Sequence, residues 1–337
     1  MMNRTPPKVS VCIPVYNGSA YIAESIESVL GQTFEDLSLI VCDNCSTDNT
    51  EEIVQGFHDP RLTYTRNEKN LGLVGNANRC LSLAEGEYVY ILHHDDVMLP
   101  ENLAHKVRLL DEHPEVGFVH SNIQVIDSNG DIVDLKLLPE DSTRDYIEDG
   151  MIVFQRYVHQ LPFVSSIFIG SVLARRSCYK RLGGFRPELP YANDNEMWMR
   201  LSLFYTVACI GTPLVKLRLH PSSTTSNFSD WKSAPYQKEQ HSAAMMIFQN
   251  YKERIPEPHR FRRQVSFSFG KQALMWACNA FGSGEFASGR DLFKEAIRMS
   301  PQIFTTLLFW KAAAMLIAGP FGIRFYQSVK KYLKNMF

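Results

Sequence analysis

The sequence lacks an excess of charge of either sign. Its 337 residues include 35 Lys and Arg against 36 Asp and Glu, and no block of basic residues stands out. Proteins that bind nucleic acid need a basic surface to neutralise phosphates, so this composition gives no indication of a nucleic-acid partner. The length instead suits one large α/β domain with an appendage.

A secretory signal and a disulfide framework are also lacking. Residues 1–8 are polar and proline-rich, without the apolar h-region of a signal peptide. The seven cysteines are scattered and odd in number, so we expect a reducing, cytoplasmic setting. Cys42 and Cys45 have CxxC spacing, but no second pair completes a tetrahedral metal set, and coincidence is the favoured explanation.

The stretch from Tyr88 to Pro100, YVYILHHDDVMLP, places a polar cluster directly after a short apolar run. The run predicts a strand buried on both faces of a parallel sheet, and open α/β sheets bind ligands at the carboxyl ends of such strands. Asp95 and Asp96 repel each other unless a cation, hydrogen-bond donors or water compensate, and Mg²⁺ and Mn²⁺ prefer such oxygen ligands. From this pair alone, a metal site and a helix cap before Pro100 are equally open.

Strand and helix patterns alternate over the first hundred residues. Strands are predicted over residues 9–15, 37–42, 62–66 and 88–92. The alternation predicts βαβ units and a parallel sheet. Later patterns predict strands at 116–119, 167–174 and 214–219 and a helix at 195–204. Strand patterns vanish beyond about residue 226, so we expect a catalytic α/β domain over residues 1–225 and a helical extension over residues 226–337.

Six motifs within residues 8–225 resemble the family 2 glycosyltransferases, inverting enzymes of the GT-A fold that use nucleotide-activated sugars. In chain order they are VSVCIPVYNG, VCDNCSTDNT, NLGLVGNANR, ILHHDD, LGGFRPELPYANDNEMWMRL and LRLHPSSTTS. Each motif alone is a weak match, but all six in the correct order form a strong signal. The resemblance implies a Rossmann-like, mostly parallel central sheet flanked by helices, with a nucleoside-diphosphate sugar as the donor.

The resemblance also implies the residues of the site. Asp194 matches the carboxylate that deprotonates the acceptor hydroxyl, and a divalent metal, Mn²⁺ or Mg²⁺, is implied at Asp95, Asp96 and His220. The residues implied to bind the nucleotide sugar are Pro14, Tyr16, Asn17, Asp43, Asn70, Gly72, Asn78, His94 and Asp95. Simpler roles stay open for four of these positions: a helix cap for Asp194, a turn for Asp43, a strand end for His220 and an outer or solvent-exposed ring for His94.

The sequence departs from the family pattern at three positions. His93 stands where many members carry the first aspartate, and Ala77 where many carry arginine before Asn78. Asn193 replaces the usual glutamate before Asp194, which removes a negative charge that would raise the pKa of the base. These departures keep open a non-catalytic relative that binds nucleotide sugars or carbohydrate. A sugar-phosphate nucleotidyltransferase would need a glycine-rich, basic phosphate loop, which IPVYNGSAY does not supply.

The end of the chain predicts a membrane contact. Residues 303–318 are apolar on nearly every side, Gly319 and Pro320 end this run, and residues 321–337 are aromatic and basic. Such a stretch lies on a membrane surface, packs internally or spans the bilayer; Lys311 at its centre argues against spanning, and a surface contact is favoured. Similar enzymes extend lipid-linked glycans, so we expect a glycan or lipid-linked saccharide acceptor at the inner face of the plasma membrane.

Overall fold

The computed structural model describes residues 6–133, 144–160, 167–223 and 232–334, without the side chains of residue 160 and residues 321–334. The chain divides into a first unit, Met1–Tyr157 with Val164–Ser226, and a second unit, Val158–Phe163 with Asn227–Phe337. The predicted boundary at residue 225 falls outside the described residues and stays a prediction.

A nine-stranded sheet forms the centre of the first unit. Its strands are β1 Val9–Val15, β2 Leu37–Asp43, β3 Leu62–Arg66, β4 Tyr88–Ile91, β5 Val97–Met98, β6 Val116–Ile126, β7 Tyr146–Glu148, β8 Val172–Arg175 and β9 Thr206–Arg218. Their order is β3-β2-β1-β4-β8-β6-β9-β5, with β7 paired to β9. β1 to β4 form a parallel half, β8 is antiparallel to both of its neighbours, and β6 and β9 are parallel.

Helices between the strands cover the sheet. They are α1 Ile22–Leu30, α2 Thr50–Gln55, α3 Gly72–Leu83, α4 Asn102–Glu112, α5 Gly150–Gln160, α6 Arg176–Leu182 and α7 Asn193–Ser202. Every residue of β1 and β4 is buried, as expected for central strands with both faces covered. The predicted α/β class is therefore confirmed.

The strand register brings the predicted site residues to one edge of the sheet. Val15, the last residue of β1, pairs with Asp43, the last residue of β2. Cys12 of β1 pairs with Ile91, the last residue of β4. The loops after these three strands therefore leave the sheet at its carboxyl edge, where α/β sheets bind ligands.

Several element bounds differ from the sequence-based expectation. The strand predicted over residues 167–174 is observed only as β8, because Ile169–Ser171 form a 3-10 turn, and β6 extends beyond residue 119 to Ile126. β9 begins at Thr206, eight residues before the predicted strand, because Gly211 and Pro213 resemble a turn but are accommodated by irregular pairing with β6. α3 begins at Gly72, three residues earlier than the sequence indicates. Asn70 explains this early start, since its Oδ1 accepts the N–H of Gly72 at 2.8 Å.

The second unit is helical, as predicted. Its helices are α8 Ala234–Asn250, α9 Pro258–Ser283, α10 Phe286–Met299 and α11 Leu307–Lys334. α11 is interrupted at Gly319, which has a non-helical φ of 64° and is followed by Pro320. The sequence predicts a break at these two residues. Among the described residues, no helix combines the length and apolar character that a membrane crossing requires.

Candidate active site

The turn after β4 gathers three side chains that could hold a metal ion. One potential ligand atom from each of His93, Asp95 and Asp96 lies within 4.8 Å of the other two. The N–H of Leu92 donates to the carbonyl of Cys12 at 3.0 Å, which fixes the start of this turn beside β1. The sequence predicts Asp95 and Asp96 here, but not the approach of His93.

The carboxyl group of Asp96 is buried beside a second carboxylate, which disfavours its ionised form. Its side chain is almost completely buried, and its Oδ1 accepts the N–H of Arg218 at 3.0 Å. No described residue donates a hydrogen bond to its Oδ2; the Nδ1 of His93 lies 3.8 Å away. Burial and the charge of Asp95 raise the pKa of Asp96 well above its usual range. A divalent cation would balance this pair, so the residues present fit a metal.

His220 orients the other carboxylate of the turn. Its Nε2 lies 3.0 Å from Oδ2 of Asp95, and its Nδ1 lies 3.0 Å from Oγ of Ser222. Burial acts to raise the pKa of Asp95, but His94, His93 and the hydrogen bond from His220 outweigh it and lower this pKa. Because both ring nitrogens of His220 face protein groups, its predicted role as a metal ligand stays a prediction.

Arg218, at the end of β9, holds the main chain of the same turn. Its Nε donates to the carbonyl of Asp95 at 3.0 Å, its Nη2 donates to Glu24, and its guanidinium lies 4.7 Å from the ring centroid of Tyr21. Ser25 adds a hydroxyl within hydrogen-bond distance of the carbonyls of His94 and Asp96. The sequence analysis did not identify Arg218 or Ser25 as site residues. Their neighbours in the sequence give no indication of contacts with segments so distant in the chain.

The loops after β1 and β2 are joined by hydrogen bonds into one wall. This wall lies beside the turn of residues 92–96 after β4, here called the metal turn. The N–H of Asn17 donates to Oγ of Ser46 at 2.9 Å, and Oδ1 of Asn17 accepts the N–H of Thr47 at 2.8 Å. Asn17 has a φ of 53°, a left-handed conformation that asparagine tolerates. Pro14 is buried in β1, whereas Tyr16 is 45% exposed on this wall.

Gly18 lets this wall approach the metal turn. A Cβ at this position would lie 2.6 Å from Cδ2 of His94 and 2.5 Å from Cγ2 of Val15, closer than side chains tolerate. The N–H of Gly18 donates to Thr50, and the next N–H, of Ser19, donates to Asp48. His94 therefore lies between the metal turn and the wall that the sequence predicts to bind nucleotide.

Asp43 is fully buried and engaged with the protein. Its Oδ1 accepts the N–H of Ser46 at 2.7 Å, and its Oδ2 accepts hydrogen bonds from Tyr64 at 2.7 Å and Arg66 at 3.0 Å. The carboxylate thus joins β2, β3 and the loop between β2 and α2. Its predicted contact with the base or ribose stays a prediction, and this geometry favours an indirect role through the loop.

The three predicted residues of the α3 region are separated in the structure. Asn70 and Gly72 lie beside the β2 loop, where Nδ2 of Asn44 donates to Oδ1 of Asn70 at 2.8 Å and to the carbonyl of Gly72 at 3.2 Å. Asn78 instead exchanges two hydrogen bonds with the main chain of Phe185, at 2.9 and 2.8 Å. Its amide is therefore occupied in joining α3 to the turn after α6.

Asp194, the predicted base, lies in the first turn of α7. Its Oδ1 accepts the N–H of Asn195 at 2.7 Å. Burial raises its pKa to about 6. The uncharged Asn193 adds no negative neighbour to this effect. A carboxylate with such a pKa is ionised at neutral pH and remains basic enough to accept a proton.

Packing and a buried ion pair hold α7 in place. Trp198 contacts Phe118 of β6 with 5.5 Å between ring centroids, and Glu196 and Arg200 form a fully buried ion pair at 2.7 Å. The first turn of this packed helix carries Asp194.

Comparison with known proteins identifies the family. The profile of glycosyl transferase family 2 matches residues 10–182, more than half of the chain, and the chain belongs to this family. EpsE of Bacillus subtilis (strain 168) is 31% identical over 199 residues, 58% of this chain and 66% of EpsE. MT1568 of Mycobacterium tuberculosis is 30% identical over 231 residues, 66% of this chain and 70% of that protein. The match to EpsE thus spans just under two thirds of its length.

Solved structures confirm the predicted GT-A fold. TarS 1–349 of S. aureus in complex with UDP-GlcNAc superposes with a TM-score of 0.66 and 20% identity, covering 95% of this chain and 92% of TarS 1–349. The mannosyltransferase PcManGT of Pyrobaculum calidifontis, in complex with GDP-Man and Mn²⁺, has a TM-score of 0.55 and 19% identity, covering 93% and 87% of the two chains. At these identities the likeness concerns the fold alone.

Proposed function

We propose that this chain is a metal-dependent, inverting glycosyltransferase. It would move a sugar from a nucleoside-diphosphate sugar to a hydroxyl of a glycan or lipid-linked saccharide. The observation that carries the proposal is the adjacent carboxyl groups of Asp95 and Asp96, whose repulsion a divalent cation would relieve; Asp194, with a pKa of about 6, is the candidate base. Family membership supports glycosyl transfer, and the UDP-GlcNAc and GDP-Man bound by two structural neighbours support the donor class.

In this proposal the carboxylate of Asp194 accepts the proton of the acceptor hydroxyl. As that proton leaves, the hydroxyl oxygen forms a bond to the anomeric carbon, and the bond from this carbon to the diphosphate oxygen breaks. The electron pair of the broken bond stays on the diphosphate. Attack from the face opposite the leaving group inverts the anomeric centre, and a positioned base accelerates such a step by about 10²–10⁴-fold.

Asp95 and Asp96 would hold the divalent ion, Mn²⁺ or Mg²⁺. When bound, such an ion neutralises negative charge on a leaving diphosphate. His220 holds the Asp95 carboxylate in position, and Arg218 holds the main chain beneath it. The turn is thus held in one conformation before a ligand binds, so less free energy is lost in ordering the site on binding.

The nucleotide is assigned to the wall beside this turn. Tyr16 offers an exposed ring, His94 faces the wall, and Asn17 shapes it. Pro14, Asp43, Asn70, Gly72 and Asn78 complete the proposed nucleotide-binding set. Asp43 and Asn78 would act through the loops they hold, because their polar atoms are bonded to the protein.

A ligand panel tests the proposal directly. UDP, GDP, dTDP and CMP, each with and without Mn²⁺, would be added to the purified chain, and its melting temperature would be measured. One nucleotide at a hundredfold excess over Kd should stabilise the chain by about 2.7 kcal/mol. Asp95→Ala should abolish the metal-dependent part, whereas the exposed control Asp131→Asn should retain it. The matching nucleotide sugar should then be hydrolysed by the native chain and not by Asp194→Asn; binding without turnover would contradict catalysis and indicate a binding protein.

We also propose that the chain contacts the inner face of the plasma membrane through residues 300–337. Exposed apolar side chains at helical spacing, here called the apolar stripe, lie at the start of α11: Leu307, Trp310 and Ile317 are 89%, 62% and 85% exposed. Residues 300–337 contain no Asp or Glu but five basic residues, Lys311, Arg324, Lys330, Lys331 and Lys334. An apolar stripe accompanied by positive charge alone suits an anionic lipid surface.

Vesicle sedimentation tests this contact. The chain should sediment with vesicles of phosphatidylcholine and phosphatidylglycerol and less with phosphatidylcholine alone. The double variant Leu307→Ser/Trp310→Ser should reduce binding at least about tenfold, since each buried apolar side chain contributes about 1.5–3 kcal/mol. The control Ile132→Ser removes an equally exposed side chain from the first unit and should change nothing. Equal sedimentation of all three proteins would exclude the stripe as the contact.

A further inference from the structure

His93 is free to bind an ion, although the family pattern has a carboxylate at its position. Its ring is about one third exposed, and no described residue forms a hydrogen bond with either ring nitrogen. Its Nδ1 lies 3.8 Å from Oδ2 of Asp96, an oxygen that has no hydrogen-bond donor among the described residues. A basic ring nitrogen and this carboxyl oxygen therefore face the same small space.

The size of this space suits a transition-metal ion. Ligand atoms about 2.1 Å from an ion lie at most about 4.2 Å apart. One potential ligand atom each from His93, Asp95 and Asp96 already lies within 4.8 Å of the others. Small rotations of the side chains would close the three residues around an ion.

The other histidine of the site has a different position. Both ring nitrogens of His220 lie 3.0 Å from protein oxygens, Oδ2 of Asp95 and Oγ of Ser222. Its ring also packs against Tyr21, with 4.8 Å between the ring centroids. His220 is therefore held as a support for the Asp95 carboxylate, whereas His93 is held by no hydrogen bond within the described part of the chain.

We propose that His93, rather than His220, supplies an imidazole nitrogen to the metal, and that the site consequently selects Mn²⁺ or a later transition metal over Mg²⁺. The inference rests on the proposed function only in placing a divalent ion at this turn. Mg²⁺ favours oxygen ligands and near-ideal octahedral geometry, whereas imidazole favours the softer first-row metals. The substitution of aspartate by His93 would thus alter the choice of metal while leaving the two carboxylates in place.

Pulsed EPR of Mn²⁺ bound to the purified chain, with no nucleotide present, tests the ligand. The native chain should show coupling between Mn²⁺ and a directly bound ¹⁴N nucleus. His93→Asn should remove this coupling and weaken Mn²⁺ binding about tenfold or more. His220→Asn should keep the coupling, and so should His58→Asn, a matched control at an exposed histidine.

His93→Asp gives a second, independent measurement. Titration of Mg²⁺ against bound Mn²⁺ should show a preference for Mn²⁺ of at least about tenfold in the native chain. His93→Asp should bind Mn²⁺ without ¹⁴N coupling and with a clearly smaller preference. Because this variant restores the carboxylate typical of the family, it also guards against a general loss of folding in His93→Asn.

The outcomes separate this inference from the proposed function. A ¹⁴N coupling that is absent from the native chain, or that is lost in His220→Asn and kept in His93→Asn, overturns the role of His93 and leaves glycosyl transfer untouched. A coupling that depends on His93, in a chain that hydrolyses no nucleotide sugar, supports the metal site and contradicts the proposed function. Equal Mn²⁺ and Mg²⁺ affinities in the native chain would refute the metal selection.

Discussion

Replacing Asp194 by asparagine should inactivate the protein and stabilise it at the same time. The pKa of Asp194 is about 6 in the folded chain, against about 3.9 for an aspartate in an unfolded chain. A difference of about two pKa units corresponds to about 3 kcal/mol of folding free energy, the cost of keeping this carboxylate ionised in a desolvated position. Since solvent still reaches part of the side chain, we expect about 1–3 kcal/mol.

The sign of the effect depends on pH. Below about pH 3, Asp194 is protonated in both states and imposes no cost. As the pH rises from about 4 to 6, the unfolded chain releases its proton first, so folding stability falls, and above about pH 7 the full cost is present. Asparagine carries no charge at any pH, and its Oδ1 can still accept the N–H of Asn195. Its advantage should therefore be about one third of its maximum at pH 4.5 and reach that maximum by about pH 7.5.

Thermal unfolding of the native chain and Asp194→Asn at these two pH values measures the effect. For a unit of this size, the expected gain at pH 7.5 corresponds to roughly 2–10 °C in Tm. The rate of transfer should fall by about 10²–10⁴-fold while nucleotide binding is retained. The native rate should itself rise with pH to about 6 and then level off. A variant that is less stable at pH 7.5, or equally more stable at both pH values, would refute the assignment of a desolvated base.

Three further substitutions probe the groups that position the site. Glu196→Gln leaves the fully buried Arg200 without its ion partner and should cost about 3–5 kcal/mol in urea unfolding, whereas Glu257→Gln, in an exposed ion pair, should change stability by less than about 1 kcal/mol. Gly18→Ala places a methyl group 2.6 Å from a neighbouring imidazole carbon, so it should cost about 1–3 kcal/mol and weaken nucleotide binding; unchanged calorimetric affinity would contradict this. Arg218→Gln should weaken Mn²⁺ binding about 10–100-fold, and native Mn²⁺ affinity would show that the turn forms without the guanidinium.

The parallel half of the fold could be predicted because its signals are local. Each strand from β1 to β4 is a short apolar or β-branched run followed by turn residues, and a helix pattern separates it from the next. β9 could not be bounded this way. Gly211 and Pro213 interrupt its pattern, and only pairing with β6 makes it continuous from Thr206.

The same distinction, between local sequence signals and contacts made at long range, applies to the site. Asp95, Asp96 and Asp194 stand in readable motifs, so their positions could be predicted from the sequence. The environment that sets their chemistry could not, because it is assembled by contacts between distant segments. Arg218 bonds to Asp96 across 122 residues and to Glu24 across 194, and no local pattern marks either partner. Likewise, only the three-dimensional structure shows that no described residue forms a hydrogen bond with the ring nitrogens of His93.

The distance of Arg218 along the chain has a consequence for biosynthesis. A protein is made from its amino terminus, and domains begin to fold while synthesis continues. The metal turn is complete in sequence once residue 96 has been added, yet the guanidinium that holds it arrives 122 residues later. A nascent or truncated chain that ends before β9 therefore contains Asp95 and Asp96 without the guanidinium that holds their turn. Under the proposed function, competence to bind the donor is for this reason a late event, coupled to completion of the sheet rather than to synthesis of the motif.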